Sequence, residues 1–364
     1  IRKPQFQAGW DWGPTIVNIG IYSPIELIPI KKNGYDLVEV STDQICNEKG
    51  EITLSVDVDL HNYVKTETAV SMTVRFDNEE KVVEIPANEV GDHRINVKFS
   101  TEGKKRWNVH GYGDQVLYPL TVSLFERKLT KSIGVRKLSV DCHDDEHGTT
   151  LQFVVNDHII NALGANFIPT DSLPSRATKE RTYGLMKDMI ESNMNIVRVW
   201  GGGYFDDDIA DICDELGILI WQDFMFGCAE YPTDDEYLQE VSNEFHDNIL
   251  RMKHHACITL WCGDNEDFLA MTWLPFSSSF KATLRDEYIV FNTFCKNLCQ
   301  KFDPTKKWWP SSPCDGTGDY HGKWQDEHKG DLHYWEVWHG GKPFEQFFLI
   351  KPRFCSEFGF QSYS

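Results

Sequence analysis

Two glutamates at predicted strand ends are the residues whose type and spacing best fit a chemical role. Glu266 follows the apolar segment 258–261, and Glu357 ends a second predicted strand that begins at residue 354. Two carboxyl groups about 5–5.5 Å apart can cleave a glycosidic bond with retention, because one protonates the leaving oxygen while the other attacks the anomeric carbon. The chain has 56 acidic residues, so spacing alone leaves a structural ion-pair role open for both glutamates.

The chain from residue 150 onward supplies alternating strands and helices that can bring these glutamates together. Strands are predicted at 166–169, 196–200, 218–221, 258–261, 308–311, 332–335 and 354–357. Helices are predicted between most of them, including one that begins at Thr233 with Glu236 as its capping-box partner and one that runs from Asp206 to Gly217. Repeated βα units predict a parallel sheet, either doubly wound or closed as a (β/α)8 TIM barrel.

The positions of the polar residues favour the barrel over the doubly wound sheet. Acidic, histidine and tryptophan side chains follow the carboxyl ends of several strands, as the catalytic residues of a TIM barrel do. The glycine run 201–203 lacks the G-x-G-x-x-G spacing of a dinucleotide site. Glu266 and Glu357 are 91 positions apart, or three units of about 30 residues, so they are expected on strands four and seven.

Two β-rich regions precede the predicted barrel. Residues 35–126 alternate apolar and polar side chains over several short strands, which predicts an immunoglobulin-like sandwich. Residues 1–30, with turns at Gly13-Pro14 and Ser23-Pro24, are interpreted as the last strands of an incomplete, jelly-roll-like β-sandwich. The barrel, from 150 to 364, is expected to be C-terminally incomplete, because its length holds roughly six and a half of the eight units.

The composition argues against several classes of function. A net charge of −20 leaves no basic stripe for phosphates, so nucleic acid is not expected as a partner. No apolar run reaches the ~18 residues that span a bilayer, so no membrane partner is expected. The ten cysteines are scattered and are interpreted as free thiols. The irregular spacing of His321, His328, His333 and His339 predicts polar loop residues, His333 excepted because it ends a strand, so neither a metal nor another cofactor is expected.

Five short segments carry distinctive combinations of aromatic, glycine and acidic residues. They are 10–14 (WDWGP), 198–203 (RVWGGG), 261–266 (WCGDNE), 333–335 (HYW) and 352–359 (PRFCSEFG). With these segments in this order, the chain resembles the β-mannosidase branch of glycoside hydrolase family two over nearly its whole length. The resemblance implies that Glu266 is the general acid/base, Glu357 the nucleophile and Asn265 a contact of the sugar 2-hydroxyl group. It also implies substrate contacts from Asp11 and Trp200. Tyr334 and Trp335 are further substrate-binding candidates, with a sugar-facing role favoured over barrel core for Trp335, and Trp273 is a candidate for the pocket wall.

The same resemblance implies a retaining exo-β-glycosidase that hydrolyses terminal non-reducing β-D-mannose residues from β-mannosides by double displacement. β-Mannoside oligosaccharides or glycans are then the expected partners. Another exo-glycosidase of family two (exo-β-glucosaminidase, β-galactosidase or β-glucuronidase) stays open, as does a non-catalytic carbohydrate-binding or scaffold protein. The absence of Asn-x-Ser/Thr sequons favours a bacterial cytoplasmic or periplasmic location, with the lysosome expected for an animal protein.

Two positions near these segments carry open alternatives. Asp264 stands where better-known β-mannosidases have asparagine. It either lies beside Glu266 as a second negative charge or is hydrogen-bonded away from the pocket, and the second arrangement is favoured. Arg198 and Asp171 are interpreted as a structural ion pair at the barrel mouth.

Overall fold

The structure, a computed structural model, describes residues 2–21, 24–29, 34–87, 89–203, 207–273, 275–316, 318, 320 and 324–360. Ser23 of the predicted Ser23-Pro24 turn, Asp206 at the predicted start of a helix, and His321 lie outside the described residues. The described residues form an N-terminal segment, two antiparallel sheets that share one core, and a parallel α/β part that carries the glutamates.

The N-terminal segment contains one short 3-10 helix, Gln5–Ala8, and none of its described residues lies in a strand. The strands predicted within residues 1–30 are therefore wrong for the described part of that range. A strand is stable only when its backbone groups pair with a neighbouring strand and its apolar face is covered. Here the apolar side chains of Ile19 and Leu27 are 91% and 98% exposed, so that face is not covered. The segment instead runs to the α/β part, where the backbone N–H of Phe6 donates to the carbonyl of Gly202.

Seven antiparallel strands follow. They are β1 (Tyr35–Cys46), β2 (Ile52–Asn62), β3 (Val70–Phe76), β4 (Glu79–Ile85), β5 (Gly91–Ser100), β6 (Tyr118–Leu124) and β7 (Arg127–Ile133). The sheets have the orders β1-β2-β5 and β4-β3-β6-β7, and their buried side chains form one apolar core, as the alternating pattern predicted. Because β7 pairs with β6, the second sheet continues beyond the boundary predicted at residue 126. The finer immunoglobulin-like assignment stays a prediction.

Short strands connect this part to the α/β part: β8 (Leu138–Asp141), β9 (Asp144–Asp145), β10 (Gly148–Thr149), β11 (Gln152–Val155) and β12 (His158–Ile160). The parallel strands are β13 (Gly164–Phe167), β14 (Ile196–Val199), β15 (Leu219–Asp223), β16 (Ile258–Cys262), β17 (Lys307–Trp309), β18 (Leu332–Tyr334) and β19 (Cys355–Phe358). Each lies within two residues of a predicted strand. All strand pairs among them are parallel, in the orders β13-β14-β15-β16-β17 and β18-β19.

The two parallel sheets approach each other at both ends. The side-chain amide of Asn166 on β13 donates to the carbonyl of Ser356 on β19 at 3.0 Å. On the other side, Ser312 beyond β17 lies 2.9 Å from the ring of His333 on β18. The strand ends therefore surround one space, which is the arrangement that brings residues of distant units together. A closed eight-stranded barrel stays a prediction.

The helices of the α/β part are α1 (Lys179–Glu191), α2 (Asp207–Leu216), α3 (Asp235–Met252), α4 (Asp267–Trp273) and α5 (Ser278–Phe302). The N-cap of α3 is Asp234, whose carboxylate accepts from the backbone N–H of Tyr237. The capping box predicted from Thr233 to Glu236 is therefore wrong, because the helix begins one residue later and places a tyrosine at the third helical position. α2 is followed directly by Gly217, as predicted, and the φ of 75° at this position favours glycine. Among the described residues, no helix combines the length and apolar character needed to cross a membrane.

Candidate active site

The two predicted carboxylates meet at the carboxyl ends of the parallel strands. Glu266 follows β16, and its backbone N–H donates to the carbonyl of Ser312 at 2.9 Å. Glu357 lies on β19, and both glutamates are buried. One carboxylate oxygen of each, together with a ring nitrogen of His333, lie within 4.8 Å of one another. The two carboxyl groups therefore approach closely enough to contact the same ring nitrogen, as suits a retaining pair, whose carboxyl groups lie ~5–5.5 Å apart.

Arg198 on β14 binds the nucleophile candidate directly. Its Nη1 lies 2.5 Å from Oε1 of Glu357, and its Nη2 lies 2.6 Å from Asp223 on β15 and 2.7 Å from Oδ1 of Asn265. The predicted ion pair between Arg198 and Asp171 is wrong, because Asp171 binds Arg181 at 2.6 Å instead. The reason is the direction of the side chain: Arg198 points into the space between the strand ends, and that direction cannot be read from its place in the sequence.

The charges around Glu357 keep it ionised. Burial alone raises the pKa of Glu357, but the positive charges of His333 and Arg198 outweigh burial and hold that pKa below its ordinary value. Burial likewise lowers the pKa of Arg198, whereas Asp223 and Glu357 raise it more, so the guanidinium stays charged. Burial raises the pKa of Asp223 to about 6 despite the contacts with Arg198.

His333 bridges the two carboxylates, a role that the sequence interpretation missed. Its Nδ1 lies 2.7 Å from Oε1 of Glu266 and 3.2 Å from Oε2 of Glu357. Its Nε2 faces the hydroxyl of Ser312, which donates to Asp331 and therefore accepts from the ring. Burial lowers the pKa of His333, but Glu357 and Glu266 raise it above the ordinary value. Both ring nitrogens are thus donors, as in an imidazolium.

Strand alternation on β18 directs His333 and Tyr334 of the HYW segment to opposite faces. Tyr334 points to the opposite face, where its ring packs against Phe347 at 6.1 Å between centroids. Among the residues of β18, His333 rather than Tyr334 therefore reaches the carboxylates. Trp335, just beyond the strand, donates from Nε1 to Oε2 of Glu357 at 2.9 Å. The period-two rule applied to 332–335 was the signal that could have found His333.

The N-terminal segment forms one wall of the site. Trp200 packs edge-on against Trp10 and Trp12, with ring centroids 5.0 and 5.6 Å apart. Gly202 makes room for this ring, because a Cβ at residue 202 would lie 1.9 Å from Trp200. Asp11 is placed at the mouth, 3.3 Å from Nε1 of Trp338. Trp273 ends α4 with 58% of its surface exposed, and its role as a pocket wall stays a prediction.

Asp264 is hydrogen-bonded within the protein interior. Its carboxylate accepts from the hydroxyls of Ser311 (2.5 Å) and Tyr288 (2.8 Å) and from the backbone N–H of Asp267 (3.1 Å). These contacts correspond to the favoured alternative for Asp264, in which its carboxylate is hydrogen-bonded away from the pocket. Burial raises the pKa of Asp264 to about 7, although the three hydrogen bonds oppose the increase.

Two groups of described residues have ligand atoms close enough to hold a metal ion: Glu266–His333–Glu357 and Asp214–His255–Cys257. In the first group, His333 and Arg198 already supply positive charge to the carboxylates. In the second, Asp214 accepts from His255 at 2.8 Å and from the backbone N–H of Cys257 at 2.8 Å, so it ties α2 to the start of β16. Hydrogen bonds therefore account for both groups.

Comparison with known proteins identifies this class of site. No family model matches the chain. The chain is 31% identical over 382 residues to Beta-mannosidase B of Aspergillus clavatus, covering all of this chain and 44% of that protein. It is 31% identical to the solved β-D-mannosidase of Dictyoglomus thermophilum, with a TM-score of 0.87 over 98% of this chain and 44% of that one. The likeness to β-glucuronidase 2 of Bacteroides uniformis, at 16% identity and a TM-score of 0.62, shows the fold alone.

The chain spans less than half the length of the curated relatives it matches. Its parallel strands, together with these similarities, place the chain among the glycoside hydrolases. Within that class, the chain belongs to the β-mannosidase branch of glycoside hydrolase family two.

Proposed function

We propose that the whole protein is a retaining exo-β-mannosidase that removes terminal non-reducing β-D-mannose residues from β-mannoside oligosaccharides or glycans. The observation that carries the proposal is the contact of both carboxylates with His333, which holds Glu266 and Glu357 at the spacing of a double-displacement pair. The proposed architecture is the predicted one, with an immunoglobulin-like sandwich ahead of a (β/α)8 barrel that carries the site.

In the first step, a carboxylate oxygen of Glu357 attacks the anomeric carbon of the mannoside. The bond to the leaving oxygen breaks, and Glu266 transfers its proton to that oxygen. Arg198 and Trp335 orient the attacking carboxylate through contacts to Oε1 and Oε2, respectively. The product is a glycosyl ester on Glu357 with an ionised Glu266.

In the second step, Glu266 takes a proton from water, whose oxygen attacks the anomeric carbon and releases Glu357 as a carboxylate. The two inversions give net retention, and the starting protonation states are restored. Glu357 loses its negative charge while it is esterified. Arg198 keeps its contact with Asp223 during that time, so the guanidinium still has a negatively charged partner. The donors around Glu357 also favour its departure, because they stabilise the carboxylate that forms.

We further propose Asp11, Trp200, Asn265, Trp335, Tyr334 and Trp273 as the residues that contact the substrate, with no cofactor. Arg198 donates to Oδ1 of Asn265, and one amide N–H faces Sγ of Cys228, so the second N–H is the group directed to the sugar 2-hydroxyl. A hydrogen bond there strengthens as the oxocarbenium-like transition state forms. Trp200 and Trp335 supply the aromatic surface, whereas Tyr334 contributes only if the face that packs on Phe347 opens.

The test uses the full-length protein with aryl β-mannoside and matched β-glucoside, β-galactoside and β-glucosaminide substrates. We expect turnover of the mannoside, its loss in Glu357→Ala, and an α-mannosyl azide when azide replaces the missing nucleophile. Glu266→Ala should instead yield the β-azide, because azide then attacks the glycosyl ester from the side of the missing base. Turnover confined to another sugar contradicts the mannoside assignment, and no turnover by folded protein favours a binding or scaffold role.

A further inference from the structure

A cysteine that the proposed mechanism does not use lies against the acid/base candidate. Sγ of Cys228 is 3.4 Å from Oε2 of Glu266, and the side-chain amide of Asn265 donates to the same sulfur at 3.5 Å. His333 binds the other oxygen of Glu266, Oε1. The carboxyl group is thus held on one side by an imidazolium and on the other by a thiol.

The backbone around Cys228 is tied to the segment that carries Glu266. The N–H of Cys228 donates to the carbonyl of Asn265 at 2.8 Å, and the N–H of Ala229 donates to the carboxylate of Asp267 at 3.3 Å. Gly227 and Asn265 form a parallel bridge beyond the ends of β15 and β16. The position of the thiol relative to Glu266 is therefore set by backbone contacts on both sides.

Cys228 and Glu266 both adopt left-handed backbone conformations, with φ of 52° and 61°. Apart from Phe125, the other described non-glycine residues with positive φ are Asp77, Asn156, Asp157 and Asn193. Aspartate and asparagine tolerate this region, whereas cysteine and glutamate enter it at a steric cost that glycine avoids. Strain of this kind gathers at functional sites. Phe125, in the turn between β6 and β7, shows that such a conformation also occurs outside the site, so the argument for Cys228 rests on the contact of its thiol with Glu266.

We propose that Cys228 is a positioning residue for the acid/base, and this inference rests on the proposed function. Its thiol fixes the rotamer of Glu266 so that Oε2 faces the glycosidic oxygen. The side chain makes no bond to the substrate and transfers no proton. Burial, followed by the negative charges of Glu266 and Asp267, raises the pKa of the Cys228 thiol, so it stays neutral throughout the cycle.

A neutral thiol fits both protonation states of Glu266. Sulfur accepts weakly from the protonated carboxyl group, and S–H donates weakly to the carboxylate. A weak partner orients Oε2 without competing strongly with the leaving oxygen, in contrast to a charged donor, whose hydrogen bonds are about twice as strong. Oε1, held by His333, takes the strong contact instead.

The test compares two substrates in Cys228→Gly, Cys228→Ser and a control, Cys142→Ala. Cys142 is also partly buried and lies on the connection after β8, outside the site. Cleavage of β-1,4-mannobiose needs the proton from Glu266, whereas 2,4-dinitrophenolate leaves without one. In Cys228→Gly we expect kcat/KM for mannobiose to fall about tenfold relative to kcat/KM for 2,4-dinitrophenyl β-mannoside. Cys228→Ser retains a donor and should stay within about threefold of wild type.

In Cys228→Gly, relief of the left-handed conformation opposes the loss of the thiol's contacts, so the variant is expected to unfold close to the wild-type temperature, and thermal unfolding separates the effect from misfolding. An unchanged ratio of kcat/KM for mannobiose to kcat/KM for 2,4-dinitrophenyl β-mannoside, whether through equal losses or no loss, would overturn the positioning role. Cys142→Ala must leave the ratio at the wild-type value, and a shift there also counts against the inference. If wild-type protein cleaves neither mannoside, the proposed function fails instead, so the two failures are distinguishable.

Discussion

Replacement of Arg198 by methionine removes the cation that Asp223 and Glu357 share while keeping most of the aliphatic stem. The side chain of Arg198 is 5% exposed, and those of Asp223 and Glu357 are 0% and 8% exposed, so water cannot take over the lost charge. Removing one partner of a buried ion pair costs about 3–5 kcal/mol, because the other charge is left uncompensated. For a unit of 150–250 residues this corresponds to a decrease in Tm of about 6–20 °C.

The destabilisation caused by Arg198→Met should depend on pH, because the affected carboxylates titrate. In the wild-type protein the pKa of Glu357 lies below its ordinary value, so its stabilisation is present at neutral pH and is lost as pH falls through the folded-state pKa. In Arg198→Met, Asp223 loses its cationic partner and Glu357 keeps only His333, so both carboxylates destabilise the variant relative to wild type whenever they are ionised. Protonation relieves that cost, so the difference in Tm between wild type and variant is expected to shrink on acidification.

The assay is thermal unfolding of both proteins between pH 8 and pH 4, with Arg181→Met as the matched control. Arg181 pairs with Asp171 but is 52% exposed, and such a pair contributes at most about 1 kcal/mol. The double variant Arg198→Met/Asp223→Leu should be more stable than Arg198→Met, because one uncompensated carboxylate is gone. A pH-independent decrease in Tm, or one no larger than that of Arg181→Met, would refute the reasoning.

Two further predictions concern the residues around the site. Gly202→Ala should displace the ring of Trp200, lowering the free energy of unfolding by about 1–3 kcal/mol and raising KM for an aryl mannoside. Gly184→Ala in α1, where a Cβ meets nothing within 4 Å, should instead stabilise by about 0.5–1 kcal/mol, and the opposite order would contradict the packing argument. Burial raises the pKa of Asp264 to about 7, so wild-type stability should decline relative to Asp264→Asn as pH rises toward 7 and level off above it. A constant difference across that range would show that Asp264 does not titrate there.

The sequence predicted most of the local elements and singled out Glu266 and Glu357 as the candidate carboxylates. The apolar face of α3, with Val241, Phe245 and Ile249 buried, follows from a period of 3.6 residues that needs no tertiary information. The parallel strands followed from short apolar runs between helices, and the five segments pointed to Glu266 and Glu357. The predicted strands within residues 1–30 failed, since an apolar run becomes a strand only when another strand pairs with it.

Only the tertiary structure decided which side chains surround those carboxylates. Arg198 and Glu357 are 159 positions apart, and Glu266 and His333 are 67 apart, so their contacts depend on how separate βα units pack. The sequence interpretation paired Arg198 with Asp171 at the barrel mouth, whereas the structure pairs Arg198 with Asp223 and Glu357. A strand directs successive side chains to opposite faces, and the register of a neighbouring strand sets what each one meets. That register is a property of the packed sheet, which is why the two carboxylates that His333 contacts, and the contact of the Cys228 thiol with Glu266, emerged only from the fold.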